Sequence, residues 1–167
     1  MKRLLPLAFA FLVSAVQAQN TAPAPAPAPA VAAAASGDVL TIVLKVSPDN
    51  DMMWDITEIQ AKPGQKVKLT LENTSKQPIQ HNWVLVKPGK DQVVANAAIQ
   101  MAMDVNAVKK HYNPEASVQD IIAFTKLVDQ NKQETIEFAA PAEAGEYPYI
   151  CTFPGHFLLM KGKMIVK

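Results

Sequence analysis

The chain has 167 residues, enough for one domain with an appendage, and carries 16 Lys and Arg against 15 Asp and Glu. That balance leaves no electrostatic footprint for nucleic acid or an anionic membrane surface. A single cysteine, Cys151, excludes a disulfide framework within the chain.

Residues 1–18 read as an export signal, with Lys2 and Arg3 as a basic head, Leu4 to Val16 as an apolar run, and Val16-Gln17-Ala18 as a small-residue cleavage site. The run is too short to cross a ~30 Å hydrocarbon core as a helix, so no membrane span is expected in the mature chain unless the signal stays uncleaved. No cysteine follows it to carry a lipid. The expected location is the periplasm, an oxidising compartment in which a lone thiol is buried, paired with another chain or used for chemistry. Residues 19–37 repeat Ala-Pro four times and run into alanines ending at Ser36-Gly37. Such a stretch is extended and cannot build a core, and it reads as a semi-rigid tether or a disordered tail.

From 38 to 167 the pattern is that of one all-β domain. Val39 to Val46 is β-branched and aliphatic, and after the Pro63-Gly64 turn Val67, Leu69 and Leu71 alternate with Lys66, Lys68 and Thr70. Trp83 to Val86 is a further extended run, closed by Pro88-Gly89. An interruption follows, in which Asp91 is placed to cap a helix with Val94, Ala97, Ala98 and Met101 on one face. Ile121–Val128 is ambiguous, since Ser117 with Asp120 suggests a capping box while the segment itself has strong β character. It is taken as a strand, in part on the resemblance described below. Strands at Thr135–Phe138, Tyr147–Cys151 and Lys163–Val166 complete a sandwich or barrel.

The chemistry concentrates near the C-terminus. Cys151-Thr-Phe-Pro-Gly-His156-Phe-Leu-Leu-Met160 sets a thiolate, an imidazole and a thioether on one short loop, and a second imidazole, His81, opens the run His-Asn-Trp-Val-Leu-Val. Two imidazoles and a thiolate with a weak axial thioether are the ligand set of blue-copper electron-transfer sites. Thiolate favours cuprous copper and couples strongly to cupric copper, while imidazole serves both. Zinc would take four strong ligands, and methionine is a poor one. Each residue alone has an ordinary structural role; their joint order and spacing argues for copper.

Cys151-Thr-Phe-Pro-Gly-His156, three residues, then Met160-Lys-Gly resembles the C-terminal copper loop of the azurins, with a spacing longer than in plastocyanins. His81-Asn82-Trp83-Val84-Leu85 is similar to the upstream histidine segment of the same family. Lys109-Lys-His-Tyr-Asn-Pro and Phe124-Thr-Lys-Leu-Val, leading to Thr135-Ile-Glu-Phe, follow its pattern too, and auracyanin-like relatives share the loop. The resemblance runs from about Asn50 to Lys167. It implies a cupredoxin Greek-key β-sandwich of about eight strands with a helical insertion, and one copper ion held by His81, Cys151, His156 and Met160. It further implies that Asn82 ties the two ligand-bearing segments together, that the Phe153 N–H donates to the Cys151 sulfur, and that Trp83 is core. Three departures stand out: Gln80 replaces the glycine before the first histidine, the family's disulfide is missing, and the Ala-Pro tether is extra.

The function this implies is a carrier of single electrons, cycling Cu(I)/Cu(II) between transiently bound periplasmic redox proteins such as c-type cytochromes or oxidoreductases. A docking ring around His156 would use Ile79, Phe153, Pro154, Leu159 and one of Met52 or Met53. A copper buffer or delivery protein would need exposed methionines or histidines near the tether, which has none. A multicopper oxidase or nitrite reductase would need more histidines than His81, His111 and His156. His111 reads as a solvated loop residue.

Overall fold

A computed structural model describes residues 39–167. The expected export signal (1–18) and Ala/Pro tether (19–37) lie outside these described residues. Eight strands and one α-helix are arranged as β1 (Val39–Lys45), β2 (Glu58–Ala61), β3 (Lys66–Glu72), β4 (Val84–Val86), α1 (Asp91–Met101), β5 (Ile121–Phe124), β6 (Gln133–Ala139), β7 (Gly145–Ile150) and β8 (Lys161–Val166). They form a three-stranded sheet in the order β1-β3-β6 and a five-stranded sheet in the order β2-β8-β7-β4-β5. Pairing is parallel for β1 with β3 and β2 with β8, and antiparallel elsewhere.

The alternation in sequence becomes alternation in burial. In β1 Leu40, Ile42 and Leu44 point inward, and in β3 Val67, Leu69 and Leu71 do the same. These meet Trp83, Leu85, Tyr149, Met160 and Met164 of the other sheet and its connections in one core. Each fully buried Leu contributes roughly 1.5–3 kcal/mol relative to an exposed one. On the outer face, Thr70 lies opposite Thr135 and their hydroxyls hydrogen-bond at 2.8 Å.

β4 does not alternate; all three of its residues are buried. Leu85 faces the main core, whereas Val84 and Val86 face a second cluster with Val94, Ala95 and Ile150, so α1 covers the outer side of the sheet. The helix itself departs from expectation in two ways. Its cap residue is Lys90, with no side-chain cap from Asp91, and the buried positions are Val94, Ala95 and Ala98. Ile121–Val128 is a strand only to Phe124, preceded by a 3-10 turn at Glu115–Asp120, and Val128 instead makes an isolated bridge to His81. β2 escaped the sequence pattern, because Glu-Ile-Gln-Ala offers only Ile59 and Ala61 to bury.

The strand β7 contains Pro148, which cannot donate to a ladder. β4 pairs only with Tyr149 and Ile150, so the missing N–H is not required. Gly162 on β8 lies opposite Tyr149, and a Cβ there would collide with the tyrosine ring. That ring is pinned by its hydroxyl, which donates to Ile56 O at 2.7 Å. These features fix the end of β7, and with it the start of the loop that carries the chemistry.

Candidate metal centre

Cys151 directly follows β7, and its N–H bonds Met160 O at 3.0 Å, closing the loop between them. Inside, Phe153-Pro154-Gly155-His156 is a tight turn in which the His156 N–H reaches Phe153 O at 3.0 Å. Proline sets φ for the first central position, and Gly155 takes the left-handed φ of +84° that the second requires. A single 3-10 turn, His156–Leu158, then brings the chain back, with Met160 N–H bonded to His156 O at 2.8 Å. The loop therefore returns its thioether residue to the point from which its thiol departs.

His81 arrives from the opposite side. It pairs with Val128 through both backbone groups, N–H to Val128 O at 3.2 Å and O from Val128 N–H at 2.8 Å. The result is a buried triangle: Nδ1 of His81 and Nδ1 of His156 are 3.1 Å apart, and Cys151 Sγ is 3.9 Å and 3.6 Å from them. All three ligand atoms lie within 4.8 Å of one another. The centre of such a triangle is about 2 Å from each corner, close to the ~2.0–2.3 Å of metal–nitrogen and metal–thiolate bonds. Met160 is fully buried in the same cluster as Cys151.

Burial keeps all three groups in their neutral forms. Burial pushes the Cys151 thiol up to about 12, with the backbone N–H groups of Asn82 and Phe153 pulling the other way. His81 is lowered to about 4 by burial and then by the neighbouring His156; His156 is lowered to about 4 by burial. At neutral pH both rings are neutral, each with a single N–H, and their Nδ1 atoms face each other at hydrogen-bond distance. A metal that displaces the thiol proton can accept a lone pair from each of these facing nitrogens. Two nitrogens, one buried sulfur and a thioether nearby suit copper better than zinc or a hard cation.

Around the triangle the packing is tight. Asn82 bridges three segments: its Oδ1 accepts from Thr152 N–H at 2.8 Å, and its Nδ2 donates to Thr152 Oγ1 at 2.7 Å and to His111 O at 2.8 Å. Phe153 stacks at a tilt on His156, centroids 4.6 Å apart, and Tyr112 sits edge-on to Phe153. The indole of Trp54 meets the His81 ring edge-on at 6.1 Å. Trp83 is fully buried, packed on Phe138 and Tyr149.

The structure brings His81, Cys151, His156 and Met160 into one buried region, with Asn82 and Phe153 beside them. Of the expected docking ring, Ile79, Phe153 and Pro154 are half-buried and Leu159 is 55 % exposed. Leu158, 65 % exposed, belongs to the same rim and was missed. His111 is not a solvated loop residue: it is half-buried with φ +54°, and its Nδ1 is buried without a partner. Gln80 takes no positive φ, so losing glycine strains nothing, and its side chain turns to Asp129 at 2.6 Å. Ser75, whose hydroxyl contacts the far side of the His81 ring, and Asn73, which holds that hydroxyl, were also missed. In sequence they are two more polar residues in a polar turn.

Residues 41–167 match the family model described as copper binding proteins of the plastocyanin/azurin family. Auracyanin-A of Chloroflexus aurantiacus is 39% identical over 122 residues, spanning 72% of this chain and 70% of that protein. Azurin-1 of Alcaligenes xylosoxydans xylosoxydans is 34% identical over 123 residues, spanning 70% of this chain and 91% of that protein. Among solved structures, auracyanin A, titled a "blue" copper protein of the same Chloroflexus, superposes with a TM-score of 0.67 at 36% identity. That superposition covers 77% of this chain and 99% of the other.

Proposed function

The chain belongs to the copper-binding plastocyanin/azurin family, and on that premise we propose that His81, Cys151, His156 and Met160 hold one copper ion for electron transfer. When bound, the metal supplies one-electron Cu(I)/Cu(II) chemistry. The chain's part is to keep the donors in place through the change of charge. Cys151 and Met160 are tied by their own backbone bond, His156 is held by the Pro154-Gly155 turn, and His81 by its pairing with Val128. Asn82 cross-links the two ligand-bearing segments through Thr152. With so much of the cage fixed by backbone and by buried hydrogen bonds, little can rearrange when an electron arrives.

The observation that carries this reading is the buried triangle of two imidazole nitrogens and one sulfur, sealed except at one corner. His81 and Cys151 are fully buried, while His156 keeps 6 % of its surface exposed, among the half-buried Phe153 and Pro154 and the exposed Leu158 and Leu159. That rim is the electron's exit, and its apolar character suits brief encounters with small interfaces. The partners we infer are periplasmic redox proteins, c-type cytochromes or oxidoreductases among them. The protein acts as a carrier and not as an enzyme, in the periplasm, to which residues 1–18 would direct it. Among the described residues no helix is long and apolar enough to cross a membrane.

Leu159→Asp tests the shuttle against a copper-delivery role. The substitution should slow electron self-exchange strongly while leaving the visible spectrum and copper retention nearly intact, because Leu159 faces the partner and not the metal. Rapid loss of copper from the unmodified protein to a strong chelator, with self-exchange indifferent to Leu159→Asp, would favour delivery instead.

A further inference from the structure

The metal-facing nitrogen of His81 is only half of that ring; the other half ends in a chain of buried hydrogen bonds whose direction can be worked out. Asn73 lies just after β3, 1 % exposed, and Ser75 two residues on is 3 % exposed. The Asn73 amide makes two contacts to main-chain oxygens, Ile79 O at 2.7 Å and Val128 O at 2.8 Å. Carbonyls only accept, so the atom facing them is the NH2 group, and the amide oxygen must point the other way. There it meets the Ser75 N–H at 3.1 Å and the Ser75 hydroxyl at 2.6 Å.

An amide oxygen cannot donate, so the single hydroxyl proton of Ser75 is committed to Asn73. Ser75 Oγ also lies 2.9 Å from His81 Nε2. Toward that nitrogen it can only accept. Nε2 must therefore carry the proton, and a neutral imidazole has only one.

We propose that Asn73 and Ser75 form a positioning relay that locks His81 in its Nε2–H tautomer and aims the Nδ1 lone pair into the triangle. The same amide also clamps the chain on both sides of His81, since Ile79 precedes it by two residues and Val128 is its backbone partner. Asn73 is held in turn by N–H to Lys132 O at 2.9 Å and by O from Asn131 N–H at 2.8 Å. The Ser75 carbonyl accepts from Gln130 Nε2 at 2.9 Å. No group in the relay is free to turn over, so the ring reaches the metal with its tautomer and its plane already chosen. Outer hydrogen bonds of this kind fix ligand orientation and basicity. The consequence for copper rests on the function proposed above; the tautomer does not.

The test uses the full chain with 15N-labelled histidine, metal-free at neutral pH, with long-range 1H–15N correlation to read each ring's tautomer. The unmodified protein and Ser75→Thr, which keeps the hydroxyl, should show His81 only as Nε2–H. Ser75→Ala should populate both tautomers, and its copper(I) affinity, measured by chelator competition, should fall roughly 10–100-fold, with recovery in Ser75→Thr. An Nδ1–H form of His81 in the unmodified protein overturns the relay. So does folded Ser75→Ala with an unchanged tautomer or an unchanged copper(I) affinity. If Ser75→Ala does not fold, the tautomers of the unmodified protein and of Ser75→Thr decide alone. Nε2–H in a protein that binds no copper would uphold the relay and sink the metal assignment, so the two failures are distinguishable.

Discussion

Two irregular segments flank the site, and they are built on opposite principles. The loop from Cys151 to Met160 has its main chain bonded to itself by four hydrogen bonds, and Cys151, His156 and Met160 are all turned inward. The segment from Ala102 to Pro114 has five such bonds, yet Met103 is 90 % exposed and Val105 94 % exposed, and His111 and Tyr112 both take positive φ without being glycine. Backbone turns alone therefore do not make a precise loop. What separates the two is whether side chains are spent on the interior. The second segment touches the site's scaffold through the bond from Asn82 to His111 O and the edge-on packing of Tyr112 on Phe153.

Cys151→Ser is the sharpest way to break the first segment. Oxygen cannot replace the covalent sulfur contact, so the intense charge-transfer absorption expected of the copper(II) form should vanish. A variant keeping the same visible band would sink the assignment of Cys151 as ligand.

Acid acts on the same segment and on His81. Between pH 6.5 and about 4 the unfolded chain binds protons at His81 and His156 that the folded chain excludes. Stability of the metal-free protein should therefore fall as the pH drops through this window, by on the order of 3 kcal/mol per imidazole. Denaturant melts across the window check it, and a flat profile would place the rings in a wetter site. Because the Cys151 thiol sits near 12, copper uptake should release a proton at neutral pH, and affinity should rise with pH well above that window.

Asn82→Ala attacks the tie that the two segments share. It strands the Thr152 N–H and hydroxyl together with His111 O, in a region where water is scarce, and should cost about 3 kcal/mol. Hydrogen exchange should quicken in both segments at once. Faster exchange confined to one of them would mean that Asn82 does not couple them. Val105→Asp marks the other extreme, for an exposed side chain without partners should shift stability by no more than about 0.5 kcal/mol and leave the copper spectrum unchanged.

This contrast also explains what could be read from sequence. Cys151, His156 and Met160 are legible because a thiol, an imidazole and a thioether stand together on one short loop and a proline-glycine turn sets the spacing. β1 and β3 are legible because one face of each is wet. β4 is recognised as extended, but its two covered faces become apparent only once α1 is seen lying on it. Asn73 and Ser75 are invisible for a different reason. Their partners at Val128 and His81 are chosen by how the sheets close, and short-range pattern carries nothing about that. The same holds for His111, whose role rests on its carbonyl and not on the imidazole that draws the eye.

The strand order has a consequence in time. β8, the last strand in sequence, lies between β2 and β7 and pairs with both. Until residues 161–166 are in place, β2 has no neighbour and the five-stranded sheet stays in two pieces. Contacts so distant along the chain place the protein among slow, milliseconds-to-seconds folders. The bond from Cys151 N–H to Met160 O forms where β7 turns toward β8, and the triangle closes at the same stage. The triangle of His81, Cys151 and His156 is therefore a late product of folding, set when β8 joins the two pieces of the sheet.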